Sequence, residues 1–198
     1  MGTPFPLADG HSDPELHPNG RLQAQRVGER LANEHLDALY VSTLRRTVET
    51  ATPLAERRGM TPLVEPDVRE IFLGEWEGGL FRKMVADGHP IAQRMWAEQR
   101  WDVIPGAEPM DDFQARVRKA IERLATAHPD QRLAVFTHGG VIGQVLSIAT
   151  GSAPFAFVGA DNASISHIVV TPDSWAVRRF NDVAHLDGTL GPVPSPLT

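Results

Sequence analysis

Hydrophobic positions along this chain switch repeatedly between a helical and a strand period. Leu22, Ala24, Val27 and Leu31 fall at helical spacing between Asn19 and Leu31, entered through Pro18, whose fixed φ and missing N–H suit a first turn. Ala38-Leu39-Tyr40-Val41 is a short apolar run closed by Ser42-Thr43 and predicts a strand. The pattern then predicts a second helix from about Leu44 to Arg58, stopped by Gly59, before Pro62-Leu63-Val64-Glu65 resumes as strand. Such alternation is that of βαβ units and predicts an α/β fold with a mostly parallel sheet.

From Glu70 to Trp101 the pattern breaks down into tryptophans (Trp76, Trp96, Trp101) and glycines, which reads as loop and short helices covering one end of the sheet. Met110, Phe113, Val117, Ile121 and Leu124 restore a helical face directed at the core. Leu133 to Thr137 predicts another strand, which runs through His138-Gly139-Gly140 into an apolar helix carrying Val141, Ile142, Val145 and Leu146. Ser164–Val170 and Trp175–Phe180 flank the turn Thr171-Pro172-Asp173-Ser174 as a hairpin. No internal repeat or linker interrupts this, so residues 1–186 are expected to form one domain and the Gly- and Pro-rich residues 187–198 a loose tail.

Composition narrows the function classes. The 198 residues carry 19 Lys and Arg against 25 Asp and Glu, a net of -6, with no basic stripe, which argues against nucleic acid as a partner. The absence of cysteine excludes disulfides, thiolate metal sites and a thiol nucleophile. No apolar run is long enough to span a bilayer and no signal-peptide pattern opens the chain, so a soluble, cytoplasmic protein without a membrane partner is expected.

Three polar residues stand where strands should end: Arg46, Glu70 and His138. In a parallel sheet ligands bind at the carboxyl ends of the strands, and the Gly139 and Gly140 amides at a helix N-terminus can hold an anion. Arginine neutralises phosphate oxygens and a carboxylic acid protonates a leaving oxygen, so the trio suits phosphoryl transfer. On pattern alone the alternative, three unrelated surface or capping residues, stays open.

Five ordered segments sharpen this reading. Ser42-Thr43-Leu44-Arg45-Arg46-Thr47-Val48-Glu49-Thr50-Ala51 resembles the Ser-x-Leu-x-Arg-Ala-x-x-Thr-Ala segment of the histidine phosphatase superfamily, the phosphoglycerate mutase-like fold. Asp13-Pro14-Glu15-Leu16 with Gly20-Arg21 and Gln23-Ala24, the block Arg69 to Gly78, Phe136 to Gly140, and Asn162-Ala163-Ser164-Ile165 are similar to further motifs of that family, in the same order. The resemblance implies a three-layer α/β/α domain that cleaves phosphomonoesters through a phosphohistidine, without metal or organic cofactor. It also implies that Arg46 clamps phosphate, that Glu70 is the general acid, and that His138, aided by Gly139, stabilises charge on the phosphoryl group. Phe72 and Trp76 would line the substrate pocket, Arg45 would be solvated, and Glu75 and Glu77 would serve the lid. The partner implied is a small phosphorylated substrate or inorganic phosphate, and the short Glu70–Trp101 excursion favours phosphatase over mutase.

One part of the pattern is missing. The family's nucleophile is a histidine in an Arg-His-Gly motif at the end of its first strand, and none of the eight histidines here follows an arginine. Met1 to Ala8 contains Pro4 and Pro6 and no apolar strand-like run, so the match begins inside the family's pattern. His11 and His17 are expected in local surface and capping roles rather than as substitutes. The expectation is an N-terminally truncated domain that lacks its first strand and is inactive as given, belonging to a phosphomonoesterase when intact. The alternative is a non-catalytic protein that binds a phosphorylated ligand or a partner. Loss of an interior strand further predicts that the sheet closes up, leaves a cleft beside His138, or borrows a strand from another copy as a homo-oligomer.

Overall fold

The computed structural model describes residues 10–186. Both the expected tail at 187–198 and the opening segment 1–9 lie outside the described residues. The order is α1 (Pro18–Leu31), β1 (Ala38–Val41), α2 (Arg45–Arg58), β2 (Leu63–Val64), α3 (Leu80–Ala86), α4 (Pro90–Glu98), α5 (Met110–Ala127), β3 (Leu133–Phe136), α6 (Gly139–Thr150), β4 (Ile165–Val170) and β5 (Trp175–Asp182).

Local chemistry explains several of these boundaries. The His17 side chain accepts from the Asn19 N–H and Pro18 opens α1, while Gly59 closes α2 at φ 60°, a left-handed conformation that costs glycine little. β2 is shorter than the sequence pattern suggests because Pro62 offers no N–H and Pro66 begins a 3₁₀ turn. Leu22 departs from expectation and is 64% exposed. Helix α1 instead buries Ala24, Val27 and Gly28, and two residues along a helix point to opposite sides. Gly28 belongs to that face because a Cβ there would lie 3.1 Å from the Leu54 nitrogen and the Pro53 Cβ of α2.

The largest core forms between α5, α6 and the 68–107 segment, around Val68, Ile71, Met95, Ile104, Phe113 and Val117. It fastens the excursion to the sheet. Gly74 (φ 55°) backs directly onto Pro105 and Gly106, where any Cβ would overlap the neighbouring backbone.

The strands fall into two groups. A three-stranded parallel sheet has the order β2-β1-β3, with Tyr40 opposite Leu63 and Val135, and β4 pairs antiparallel with β5. Among the described residues β3 bonds to β1 alone and β4 to β5 alone. A cavity of about 1190 Å³ lies between the groups, with Leu133–Phe136 on one wall and Ile165–Ile168 on the other. Val145 and Leu146 of α6, and Val27 and Leu31 of α1, also line it. His138 is among the residues that line this cavity. The cleft leaves all four apolar residues of β3 only half-buried.

Candidate active site

At the carboxyl end of β1 the chain turns sharply into α2. The Ser42 Oγ accepts from the Leu44 N–H at 3.1 Å, and Asp13, from the loop before α1, accepts the Arg45 N–H at 2.8 Å. A carboxylate on a free first-turn amide stabilises a helix N-terminus. Arg46 therefore leaves the first turn of α2 in a fixed direction, toward the carboxyl end of β3.

Its guanidinium makes two contacts there. Nη1 donates to the Ser12 carbonyl at 2.9 Å and Nε donates to His138 Nδ1 at 3.2 Å. Because a guanidinium only donates, Nδ1 of His138 carries the lone pair and Nε2 the proton, which is donated to Ser42 Oγ at 2.8 Å. Ser42 passes its own proton toward Thr47 Oγ1 at 3.1 Å, and Thr47 donates to the Leu44 carbonyl at 2.8 Å. His138 is buried, and that burial, reinforced by the cationic Arg46, holds its pKa well below the ordinary histidine value. It is a neutral imidazole. Burial also lowers the Arg46 pKa, though an arginine remains cationic at any physiological pH.

Glu70 reaches the cluster from the segment after β2. Its carboxylate accepts from its neighbour Ile71 at 3.0 Å and from the Gly140 N–H at 3.2 Å. Burial pushes its pKa up, against the lowering effect of those two amides and of Arg46. A Cβ at position 140 would overlap the Glu70 carboxylate, so glycine is what lets the acid sit on the first turn of α6. The Gly140 amide is thereby engaged with Glu70, not open for an anion as the sequence suggested.

Arg46, Glu70 and His138 thus converge at one end of the cleft, and all three line it together with Gly139. Trp76 lines it as well. Phe72, expected to line the pocket too, is not among the residues lining it; its ring lies 5.1 Å from that of His11. Arg45 pairs with Glu49 and Glu15, away from the cluster. Glu77 ties the segment after Glu70 to the loop before α1, accepting the Ser12 N–H at 2.8 Å and the Leu73 N–H at 3.0 Å.

His11 corrects its sequence expectation. It is 5% exposed, not a surface residue, with Nε2 at 3.1 Å from the Glu70 carbonyl. Burial follows from the ring packing against Phe72, a partner 61 positions away that no local pattern reveals. Arg116, on α5, was also invisible to motif reading. It donates to the carbonyls of Asp67 (2.7 Å), Arg69 (2.8 Å) and Glu70 (3.0 Å) while paired with Glu108 at 2.6 Å, fixing the backbone that presents Glu70. Ser42 likewise gains its place from its contact with His138. Among the described residues no three metal-ligating side chains gather, and no helix is long and apolar enough to cross a membrane.

Known proteins similar to this chain point to one family. The model of the histidine phosphatase superfamily (branch 1) matches residues 6–183. Phosphoglycerate mutase-like protein 4 of Arabidopsis thaliana is 35% identical over 184 residues, covering 91% of this chain and 80% of that protein. Phosphoserine phosphatase 1 of Hydrogenobacter thermophilus is 31% identical over 187 residues, covering 93% and 88%. The mycobacterial glucosyl-3-phosphoglycerate phosphatase in complex with inorganic phosphate superposes with a TM-score of 0.77 at 28% identity, over 92% of this chain and 94% of that one. This chain belongs to the histidine phosphatase superfamily (branch 1).

Proposed function

We propose that the chain carries the phosphate-binding and acid–base half of a phosphomonoester hydrolase that works through a phosphohistidine. The observation that carries this reading is the meeting of Arg46, Glu70 and His138, from three separate segments, at one end of the cleft. Arg46 holds the phosphoryl oxygens by charge and fork geometry, at the cost of loosening its contact with His138. His138, neutral with Nε2 bound to Ser42, turns toward the phosphoryl group as charge builds on it.

In the reaction an imidazole nitrogen attacks phosphorus and the ester P–O bond breaks. The leaving alkoxide takes a proton from Glu70, which its raised pKa favours. Glu70 as carboxylate then accepts a proton from water, which attacks phosphorus, breaks the N–P bond and releases inorganic phosphate. The attacking imidazole is that of the family's Arg-His-Gly motif, which the sequence does not contain. The chain by itself therefore binds phosphomonoesters without turning them over.

The short excursion between Glu70 and Trp101 favours a hydrolase over a mutase. Phosphoserine and glucosyl-3-phosphoglycerate, the substrates that relatives are named for, are small phosphorylated acids, and a substrate of that kind is proposed for this chain. Phosphorus NMR titration of the chain with inorganic phosphate tests the reading. A shifted, saturable resonance is expected for the wild type and its loss for Arg46→Met; equal binding by both would remove Arg46 from the site.

A further inference from the structure

We propose that a pocket on the face of α6 turned away from the cleft binds a small neutral polyhydroxylated molecule, a monosaccharide or polyol, through the buried amide of Gln144. Nothing in this depends on the phosphatase reading.

Helix α6 has two lined faces. Val141, Ile142, Val145 and Leu146 border the cleft, whereas Gln144, Ser147, Ile148 and Gly151, at helical positions i, i+3, i+4 and i+7, border a separate pocket of about 410 Å³. The two cavities share no lining residue. Asp111, Gln114 and Arg118 of α5, again at i, i+3 and i+7, contribute a second wall, and the segments 98–100 and 151–154 complete the lining.

Its buried part holds an unmet hydrogen-bonding group. Gln144 is 4% exposed, in a helix whose other buried side chains are apolar apart from Ser147. Ser147 donates to the Ser152 carbonyl at 3.1 Å, but the Gln144 Oε1 has no partner among the described residues. An amide oxygen buried without a donor is costly, and a donor from outside the chain accounts for it. The wall beside it is fixed. Gln99 ends α4 in the left-handed conformation (φ 53°), which glycine adopts more easily, and its Oε1 accepts the Phe155 N–H at 3.2 Å. That bond ties the segment after α4 to the loop after α6 and leaves the Gln99 NH2 to meet a ligand oxygen.

Charge decides the class of ligand. The exposed rim carries Glu98 and Asp111 against Arg100 and Arg118, so no net charge draws an anion or a cation. Glu98 is already paired with Arg94 at 2.6 Å, Arg100 with Asp102 at 2.6 Å and Arg118 with Glu122 at 3.7 Å. What remains are the amides of Gln99, Gln114 and Gln144, each able to donate and to accept, which match hydroxyl groups that do the same. Met110, Ile148 and Pro154 supply an apolar surface for the C–H face of a sugar ring. The volume lies within the roughly 300–1,000 Å³ of small-molecule sites.

The test titrates the full, isotope-labelled chain, observed by NMR, with D-glucose, D-mannose and sorbitol as neutral probes, L-serine as a zwitterion and citrate as an anion. Saturable shifts of the Gln144 side-chain amide and of the Ser147 and Gln114 backbone amides are expected with at least one neutral probe at millimolar concentration, and none with serine or citrate. Gln144→Met keeps the length of the side chain and removes the amide. Binding is expected to weaken at least about tenfold, with the urea midpoint unchanged or raised because no internal bond is lost. Gln114→Ala, at the exposed rim, is expected to weaken binding about threefold. The proposal is overturned by silence from every neutral probe, which would leave the amide to water, by tighter binding of serine or citrate at these amides, or by shifts confined to His138 and Gly139. Equal affinity of the wild type and either variant overturns it too. So does a lowered urea midpoint for Gln144→Met, which would mean that the amide already has a partner within the fold.

Discussion

Arg46 Nε donates to His138 Nδ1 at 3.2 Å, and this one contact fixes the tautomer of the histidine and aims the arginine. A buried imidazole beside a guanidinium stays neutral, so protons bind the unfolded chain more readily than the folded one. The stability that this represents is complete above the ordinary histidine pKa of about 6.5 and is lost as pH falls through the lower folded value. We expect the urea midpoint to fall more between pH 7 and pH 5 for the wild type than for His138→Gln. His167, also lowered, is unchanged in both proteins and cancels. Parallel pH profiles would contradict the assignment.

Gly140 and Glu70 form a second coupled pair. Gly140→Ala forces its methyl group into the Glu70 carboxylate, and overpacking of this kind costs about 1–3 kcal/mol. Urea denaturation should show that loss in the wild-type background and much less of it alongside Glu70→Ala. Additive effects would mean that the two groups do not meet.

Phosphate affinity should depend on the shape of the cation at position 46 as well as on its charge. Lysine cannot supply a planar fork, so Arg46→Lys is expected to weaken inorganic phosphate binding about tenfold, or ~1.4 kcal/mol. Calorimetric titration measures this directly. An unchanged constant would reduce Arg46 to a point charge.

Arg116 offers a test of architecture rather than chemistry. Hydrogen bonds to a charged group contribute about 1.5–3 kcal/mol, and here the arginine's loss would break a partly buried ion pair and withdraw a donor from three carbonyls. Arg116→Met should therefore be strongly destabilised in urea unfolding, and the amide of Ile71 should exchange faster. A loss under about 1 kcal/mol would show that the Glu70 segment holds itself in place.

Local signals carried much of this structure into the sequence. Gly59 after α2, the hairpin turn at Pro172 and the apolar face of α5 are written in adjacent residues, and the structure follows them. The convergence of Arg46, Glu70 and His138 was legible only through ordered motifs, because no spacing along a chain encodes contact between strand ends. Arg116 and the burial of His11 were illegible for the same reason. Each depends on partners more than 40 positions away, and neither residue differs in type from ordinary surface arginine or loop histidine. The exposure of Leu22 shows the opposite failure, an apolar residue that fits the helical period but falls off the face that Gly28 selects.

The central claim is that these residues form a phosphate site whose phosphoryl-accepting histidine is not among the eight in the chain. Phosphate release from p-nitrophenyl phosphate by the purified 198-residue chain tests it most directly. The account predicts no release above background from protein that still binds inorganic phosphate. Sustained hydrolysis that His138→Ala abolishes would contradict it.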